Sequence, residues 1–207
     1  MTPNASIILL TLKKAYPHAH IVLRYRTPWE LLVAVMLSAQ CTDVTVNKVT
    51  EKLFAKYKTV DDYVRADRTE FEQDIKSTGF YHTIAKNILA AAKYINGHVP
   101  KTMEDMLKIP GVGRKTANVV LGNAYGIVEG IAVDTHVSRL SRRLHLVDPT
   151  ITDPVKIERE LMTIIPKKDW SVLTYLLIDH GRVVCKAQTP KCSECVVSKF
   201  CPSSRLQ

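Results

Sequence analysis

Four cysteines near the end of the chain are the residues whose type and spacing most clearly predict chemistry. Six, two and five residues separate Cys185, Cys192, Cys195 and Cys201. One Cys-x-x-Cys pair with two wider-spaced cysteines favours an iron–sulfur cubane over a zinc ribbon, which usually has two Cys-x-x-Cys pairs. A structural zinc ion and a pair of disulfides are the alternatives at this point. We therefore expect these four residues to hold a metal cluster.

Disulfides are the weaker alternative, because Cys41 brings the number of cysteines to five. The N-terminal sequence lacks the basic head and long apolar core of an export signal, so we expect a reducing cytosolic environment. No apolar run is long enough to span a bilayer, and we expect no membrane association. The 207 residues include 29 Lys and Arg against 20 Asp and Glu, a net charge of +9. That excess favours a polyanionic partner such as nucleic acid.

Residues 103–125 predict a helix, a sharp turn and a second helix, with Pro110, Gly111 and Gly113 in the turn. The two glycines let the main chain approach another molecule closely. A helix that starts near Gly113 would direct its free N–H groups outward, which makes a seat for a phosphate. Such a contact does not depend on base sequence. An ordinary helical hairpin with a glycine turn is the alternative.

Lys115 is predicted to face away from the core of that second helix. At about 100° per residue, Ala117, Val120, Leu121 and Ala124 form one buried stripe, and Lys115 lies roughly 160° from it. The residue is then either a solvated surface lysine or a group that faces whatever the turn binds. In the second case its amine is a candidate nucleophile.

Asp134 is predicted to be the N-cap of a later helix that has Val137, Leu140 and Leu144 on one face. A cap fixes where the carboxylate lies, so this role is compatible with catalysis. The carboxylate could accept a proton or stabilise positive charge that develops on a substrate. His136 is expected to pack or to form hydrogen bonds.

The elements that must position these residues are helices. Apolar residues recur at spacings of three and four over 5–16, 46–57 and 84–95, and alternating strand-like patterns are almost absent. Prolines punctuate the chain at intervals that suit helices of ten to sixteen residues. We predict an all-α protein in which the only compositional break is the cysteine-rich tail.

Several motifs in one order resemble the endonuclease III family, the DNA glycosylases and apurinic/apyrimidinic lyases of base-excision repair. They are the hairpin with Lys115, the VDTH segment around Asp134, the four-cysteine tail, LSAQCTD at 37–43 and GFYHTIAKNI at 79–88. The resemblance covers almost the whole chain. Adenine-removing relatives typically carry serine and glutamate where this sequence has Lys115 and Ala34, and both differences favour the lyase.

The resemblance implies a helix-hairpin-helix glycosylase fold of two domains with DNA in the cleft between them. A six-helix barrel domain would span 22–128 and include the hairpin at 103–125. The second domain would combine 1–21 with 129–207 and hold a [4Fe-4S] cluster in the loop 185–201, where the four cysteines are the ligands.

The implied activity is removal of oxidised pyrimidines from duplex DNA, followed by a nick 3′ of the abasic site through β-elimination. Lys115 would attack C1′ of the flipped nucleotide and form a Schiff base, with Asp134 as its acidic partner. The implied partner is double-stranded DNA that contains damaged pyrimidines or abasic sites. We expect a monomer in the cytoplasm, associated with the nucleoid through DNA binding.

Further DNA contacts are implied by the same resemblance. Gln40 would fill the gap left by the flipped nucleotide, and Phe80 lies where family members often carry a leucine wedge. A loop glutamine and a core phenylalanine are the alternatives. The expected contacts to the DNA backbone are Gly111, Gly113, Arg114, Lys186 and Lys191. The carbonyls expected around a monovalent cation when DNA is bound are those of Leu107, Ile109 and Val112.

Two other classes of function fit parts of the sequence. A non-catalytic DNA-binding module would use the hairpin as a grip and the cluster as a staple, and would not need Lys115. An electron-transfer protein would need only the cluster, but no flavin or nicotinamide fingerprint accompanies it.

Overall fold

The computed structural model describes residues 3–39 and 41–206, and within these ranges the chain forms helices and no strands. The predicted all-α class is confirmed. The α-helices are α1 (Pro3–Ala15), α2 (Pro28–Leu37), α3 (Asp43–Lys56), α4 (Val60–Arg65), α5 (Arg68–Asp74), α6 (Tyr81–Ile95), α7 (Met103–Leu107), α8 (Arg114–Tyr125), α9 (Thr135–Arg143), α10 (Pro154–Ile164) and α11 (Trp170–Val183). Short 3-10 turns cover Lys167–Asp169, Cys192–Glu194 and Ser198–Phe200. No described helix has the length and apolarity that a membrane crossing requires.

The chain divides into two compact units. The helical unit is Val22–Glu129, and the cluster unit combines the described residues of Met1–Ile21 and Gly130–Gln207. The second division falls between Glu129 and Gly130, and the predicted domain bounds of 22–128 and 129–207 stay a prediction.

The helical unit is built around α2, in which the nine residues from Trp29 to Leu37 are buried. Helix α2 packs against α3, α6 and α8. The described part of this unit contains six helices of six or more residues, which are α2, α3, α4, α5, α6 and α8. It also contains the five-residue helix α7. The helix begins at Pro28 because the Thr27 hydroxyl accepts the Glu30 N–H at 3.1 Å, and proline suits a first turn.

The cluster unit buries one face of α1 against α11, and α9 packs between α10 and α11. Its core includes Ile8, Leu12, Leu140 and Leu177, each at most 1% exposed. The segment before α9 is also buried, and the Thr174 hydroxyl donates to the Ala132 carbonyl at 3.1 Å.

Candidate active site and metal centre

The hairpin joins α7 to α8 through a turn at 108–113. The side chains of Ile109 and Val112 are buried and form the apolar side of this turn. The Val112 N–H donates to the Ile109 carbonyl at 3.1 Å. Gly111 has a φ of +78°, and a Cβ at this position would lie 2.7 Å from Cβ of Asn87 in α6. The fold itself therefore requires a glycine at 111, both for backbone conformation and for space.

Gly113 differs from Gly111 in both respects. Its φ is −102°, and a Cβ there would meet nothing within 4 Å. It is the N-cap of α8, and no side chain caps that helix. The first N–H groups of a helix have no partner within the helix, so bare main chain at this end can bind an anion. Packing gives no reason for a glycine at 113, whereas close approach of another molecule does.

Lys115 is the second residue of α8 and is exposed. Ala117, Val120 and Leu121 are fully buried, as the helical periodicity predicts. The buried face is wider than predicted, because Asn118 and Val119 are each only 8% exposed. At the far end of the predicted stripe, Ala124 is half-buried and not fully buried. The lysine thus stands on the solvent side of α8, within the first turn after Gly113. Arg114 beside it is half-buried.

Asp134 is half-buried and caps α9, as the sequence predicts: its Oδ1 accepts the Val137 N–H at 2.8 Å. The buried residues Ala132 and Val133 lead into it, so both the chain before the carboxylate and the helix after it are held. His136 forms the predicted hydrogen bond, with Nδ1 at 3.1 Å from Arg139 Nη2.

Phe80 is not a core residue. Its side chain is 62% exposed, and its φ of 52° is in the left-handed region, where a bulky residue is strained. The turn before it is held by buried Thr78, whose hydroxyl donates to the Ile75 carbonyl at 2.8 Å. A large apolar ring is therefore held out in solvent at the start of α6.

An ion-pair group that sequence reasoning missed holds the start of α6. His82 Nδ1 lies 2.5 Å from one oxygen of Glu72, and Arg68 Nε donates to the other at 2.8 Å. The Arg68 guanidinium, together with His82, lowers the pKa of Glu72. The i, i+4 spacing of Arg68 and Glu72 predicts the contact between those two residues. No spacing in the sequence predicts the contact between His82 and Glu72, because it joins two helices.

No disulfide joins any of the five cysteines, all of which lie within the described residues. Cys185, Cys192, Cys195 and Cys201 line one cavity. Among residues 3–39 and 41–206, no three His, Cys, Asp or Glu side chains are close enough to share one metal ion. A zinc ion needs its thiolates at about 2.3 Å, whereas a cubane offers each thiolate its own iron. Four cysteines around one cavity match the ligand set of such a cluster.

The surroundings of the thiols also suit iron ligation. Burial raises the pKa of the Cys195 and Cys201 thiols, so a cationic group is needed to hold them as thiolates. Two nitrogen atoms reach the sulfurs. Arg143 Nη1 donates to Sγ of Cys185 at 3.3 Å, and His180 Nε2, whose role depends on the tautomer of the ring, lies 3.3 Å from Sγ of Cys195. Hydrogen bonds of this kind stabilise negative charge on ligand sulfur.

Two arginines of α9 hold the start of the cysteine loop. Arg139 donates to the carbonyls of Gly181 and Cys185 at 3.2 and 3.1 Å. Gly181 permits the close approach of α9 and α11, since a Cβ there would lie 2.8 Å from His136 Nδ1. Arg143 reaches further along the loop and donates to the carbonyls of Lys186 and Ala187 at 2.8 and 2.6 Å. Sequence reasoning missed both arginines.

The remaining predicted DNA contacts are less uniform. Lys186 and Lys191 are both exposed, but Lys191 Nζ pairs with a carboxylate oxygen of Glu194 at 3.1 Å. Gln40 lies outside the described residues.

Two family models match the chain. The model for the HhH-GPD superfamily of base excision DNA repair proteins matches residues 33–167. The model for the iron–sulfur binding domain of endonuclease III matches residues 185–201, the range of the cysteine loop.

Curated relatives and solved structures agree with these models. Endonuclease III of Synechocystis sp. is 52% identical over 98% of this chain and 93% of the relative, and that of Bacillus subtilis is 50% identical over 90% and 86%. A non-covalent endonuclease III–DNA complex and a trapped endonuclease III–DNA covalent intermediate both superpose with a TM-score of 0.93. Each is 44% identical, and the match covers 100% of this chain and 98% or 99% of the other.

Proposed function

This chain belongs to the endonuclease III family of base excision DNA repair proteins, and we propose that it removes oxidised pyrimidines from duplex DNA through a Schiff base on Lys115. The family assignment makes it a bifunctional DNA glycosylase and apurinic/apyrimidinic lyase that carries an iron–sulfur cluster. The lesion class and the roles of individual residues are our proposal.

The exposed Lys115 at the uncapped start of α8 is the observation that carries the proposal. A phosphate bound at the bare main chain of Gly113 would place the neighbouring deoxyribose within the first turn of the helix, where the lysine projects. The neutral amine attacks C1′ of the flipped nucleotide, and the C1′–N bond to the base breaks. The departing base takes a proton, and the C1′–O4′ bond of the sugar then opens, with a proton going to O4′, so that the bound amine becomes an imine. Loss of the C2′ proton from this imine expels the 3′ phosphate, which nicks the strand.

Asp134 serves as the acidic partner in this proposal. Its carboxylate stabilises positive charge that develops on the sugar, or takes the proton that the lysine amine releases. The capping bond to Val137 supports the proposal because it fixes the carboxylate before substrate arrives.

Phe80 is proposed to enter the base stack as a wedge, and Gln40 to fill the space of the extruded nucleotide. An apolar ring that is exposed and held by a strained turn is suited to unstack a base step. The ring is larger than the leucine that is frequent at this position in the family, so the preference for the opposite base is expected to differ.

We propose contacts to the DNA backbone from Gly111, Gly113, Arg114, Lys186 and Lys191. With DNA bound, a monovalent cation would lie among the carbonyls of Leu107, Ile109 and Val112. The Ile109 carbonyl keeps a second lone pair beyond the bond from Val112. The protein acts as a monomer on double-stranded DNA.

The cluster ligands in the proposal are Cys185, Cys192, Cys195 and Cys201, which share one cavity. A cluster bound there ties four points of the loop together and so orders the lysines that flank it. Arg139 and Arg143 of α9 donate hydrogen bonds to carbonyls of the same loop, which supports the conformation of the loop around the cluster.

Borohydride trapping tests the lysine. Reduction of the imine during reaction with duplex DNA that contains one abasic site should leave a covalent protein–DNA adduct. Lys115→Ala should form no adduct. Lys108→Ala is the matched control, because Lys108 is an exposed lysine of the same hairpin that pairs with Glu104 and Asp105.

Two results would contradict the proposal. An adduct from Lys115→Ala at the wild-type rate would assign the chemistry to another amine, and no adduct from the wild type would favour a non-catalytic DNA-binding module. A panel of duplexes with thymine glycol, oxidised cytosine or an undamaged base then tests the lesion class. Equal release of damaged and undamaged pyrimidines would refute it.

A further inference from the structure

His180 lies in the last turns of α11, next to the cavity of the four cysteines. Its side chain is 1% exposed, and both ring nitrogens have partners. Nδ1 lies 2.9 Å from the Tyr16 hydroxyl, directly after α1, and Nε2 lies 3.3 Å from Sγ of Cys195. The rings of Tyr16 and His180 also meet edge to face at 5.7 Å. The first helix of the chain is thus connected to a cysteine near the other end.

Ligation of iron determines the direction of these hydrogen bonds. A thiolate bound to iron has no proton, so the sulfur of Cys195 can only accept, and His180 Nε2 must carry hydrogen. In a neutral imidazole the other nitrogen is then an acceptor, and the Tyr16 hydroxyl must donate to it.

We propose that His180 is a positioning residue for the iron–sulfur cluster. Its Nε2–H donates to the Cys195 thiolate, and the Tyr16 hydroxyl fixes the tautomer in which it can do so. The inference rests on the proposed ligation of iron by Cys195. A hydrogen bond to ligand sulfur stabilises the more negative, reduced cluster, and so raises its reduction potential. The hydrogen bond to the sulfur of Cys185 comes from a different side chain, the guanidinium of Arg143 in α9.

The test compares the one-electron reduction potential of purified, cluster-loaded protein by film voltammetry. His180→Leu removes the donor and fills the space. We expect its cluster to be harder to reduce, with the equilibrium constant lower by about tenfold, or about 59 mV for one electron. Tyr16→Phe keeps the ring contact and the fold but no longer fixes the tautomer. It should shift the potential in the same direction by less.

Leu173→Ala is the matched control for lost packing, because Leu173 is fully buried on the same face of α11, two turns before His180. It should lower the unfolding temperature and leave the potential unchanged. Unchanged potentials in both His180→Leu and Tyr16→Phe, with iron content retained, would overturn the inference. A shift of equal size in Leu173→Ala would also overturn it, since general loosening would then explain the change.

Borohydride trapping on the same samples separates this inference from the proposed function. If His180→Leu keeps its potential and still forms the covalent DNA adduct, the positioning role is wrong and the lyase assignment stands. If the wild type forms no adduct while His180→Leu shifts the potential, the lyase assignment is wrong and the positioning role stands.

Discussion

The hairpin and the cysteine loop are held in opposite ways. The hairpin is built from main chain: a left-handed glycine at 111, a bare helix start at 113 and bonds between residues three apart. The cysteine loop is held by side chains of helices outside it, among them Arg139 and Arg143 of α9 and His180 of α11. The comparison teaches that a site made of local backbone can be predicted from a short sequence motif. For a site held by side chains of other helices, the sequence predicts the ligands but not the residues that hold them.

The largest effect on the proposed reaction is expected from Asp134→Asn. Asparagine caps a helix about as well as aspartate, so the fold should be retained. Loss of the carboxylate charge should slow base release and strand cleavage by roughly 10²- to 10⁴-fold, in single-turnover assays. Asp134→Ala should add a loss of stability of about 1 kcal/mol. Full activity in Asp134→Asn would leave Asp134 with a capping role alone.

Arg143→Met tests the side-chain support of the cysteine loop. It removes a cation that bonds to the sulfur of Cys185 and to two loop carbonyls, and hydrogen bonds to charged groups contribute about 1.5–3 kcal/mol each. We expect iron content and unfolding temperature to fall together. Arg142→Met is the control, because its donor bonds to the Pro149 carbonyl outside the loop. Equal iron loss in both variants would contradict the claim that side-chain bonds from Arg143 hold the cysteine loop.

Gly111→Ala tests the main-chain support of the hairpin. The added methyl meets Asn87 and the backbone has a positive φ, so we expect a loss of about 1–3 kcal/mol in the free energy of unfolding, measured by urea titration. Gly113→Ala should leave stability within about 0.5 kcal/mol of the wild type and weaken DNA binding instead. Similar unfolding for both alanine variants would show that the two glycines do not have separate roles.

The smallest effect is expected from the lysines of the cysteine loop. Each phosphate contact contributes about 0.9 to the slope of log K against log salt for duplex DNA. Lys186→Ala should lower that slope by about this amount, in fluorescence anisotropy titrations. Lys191→Ala should lower it less, because its ammonium is already paired with Glu194. The opposite order would assign the phosphate contact to Lys191.

The sequence predicted residues whose position follows from a short stretch of chain. Lys115 is exposed because helical periodicity puts it opposite Ala117 and Leu121, and Asp134 caps α9 because a carboxylate at that position meets the next free N–H groups. Phe80 could not be placed in this way, since an aromatic in an apolar stretch is equally compatible with a core. Its exposed ring accompanies a left-handed backbone at Phe80, which the sequence pattern does not predict.

The sequence by itself determined the helices, the hairpin and the four thiols, because helical periodicity, glycine geometry and ligand spacing are properties of neighbouring residues. Tertiary structure alone decided that Gly111 packs on Asn87, and that Tyr16, Arg143 and His180 serve the cysteine loop. These hydrogen bonds join residues 15 to 164 positions apart and depend on how the helices pack. That packing leaves no spacing in the chain from which they could be predicted.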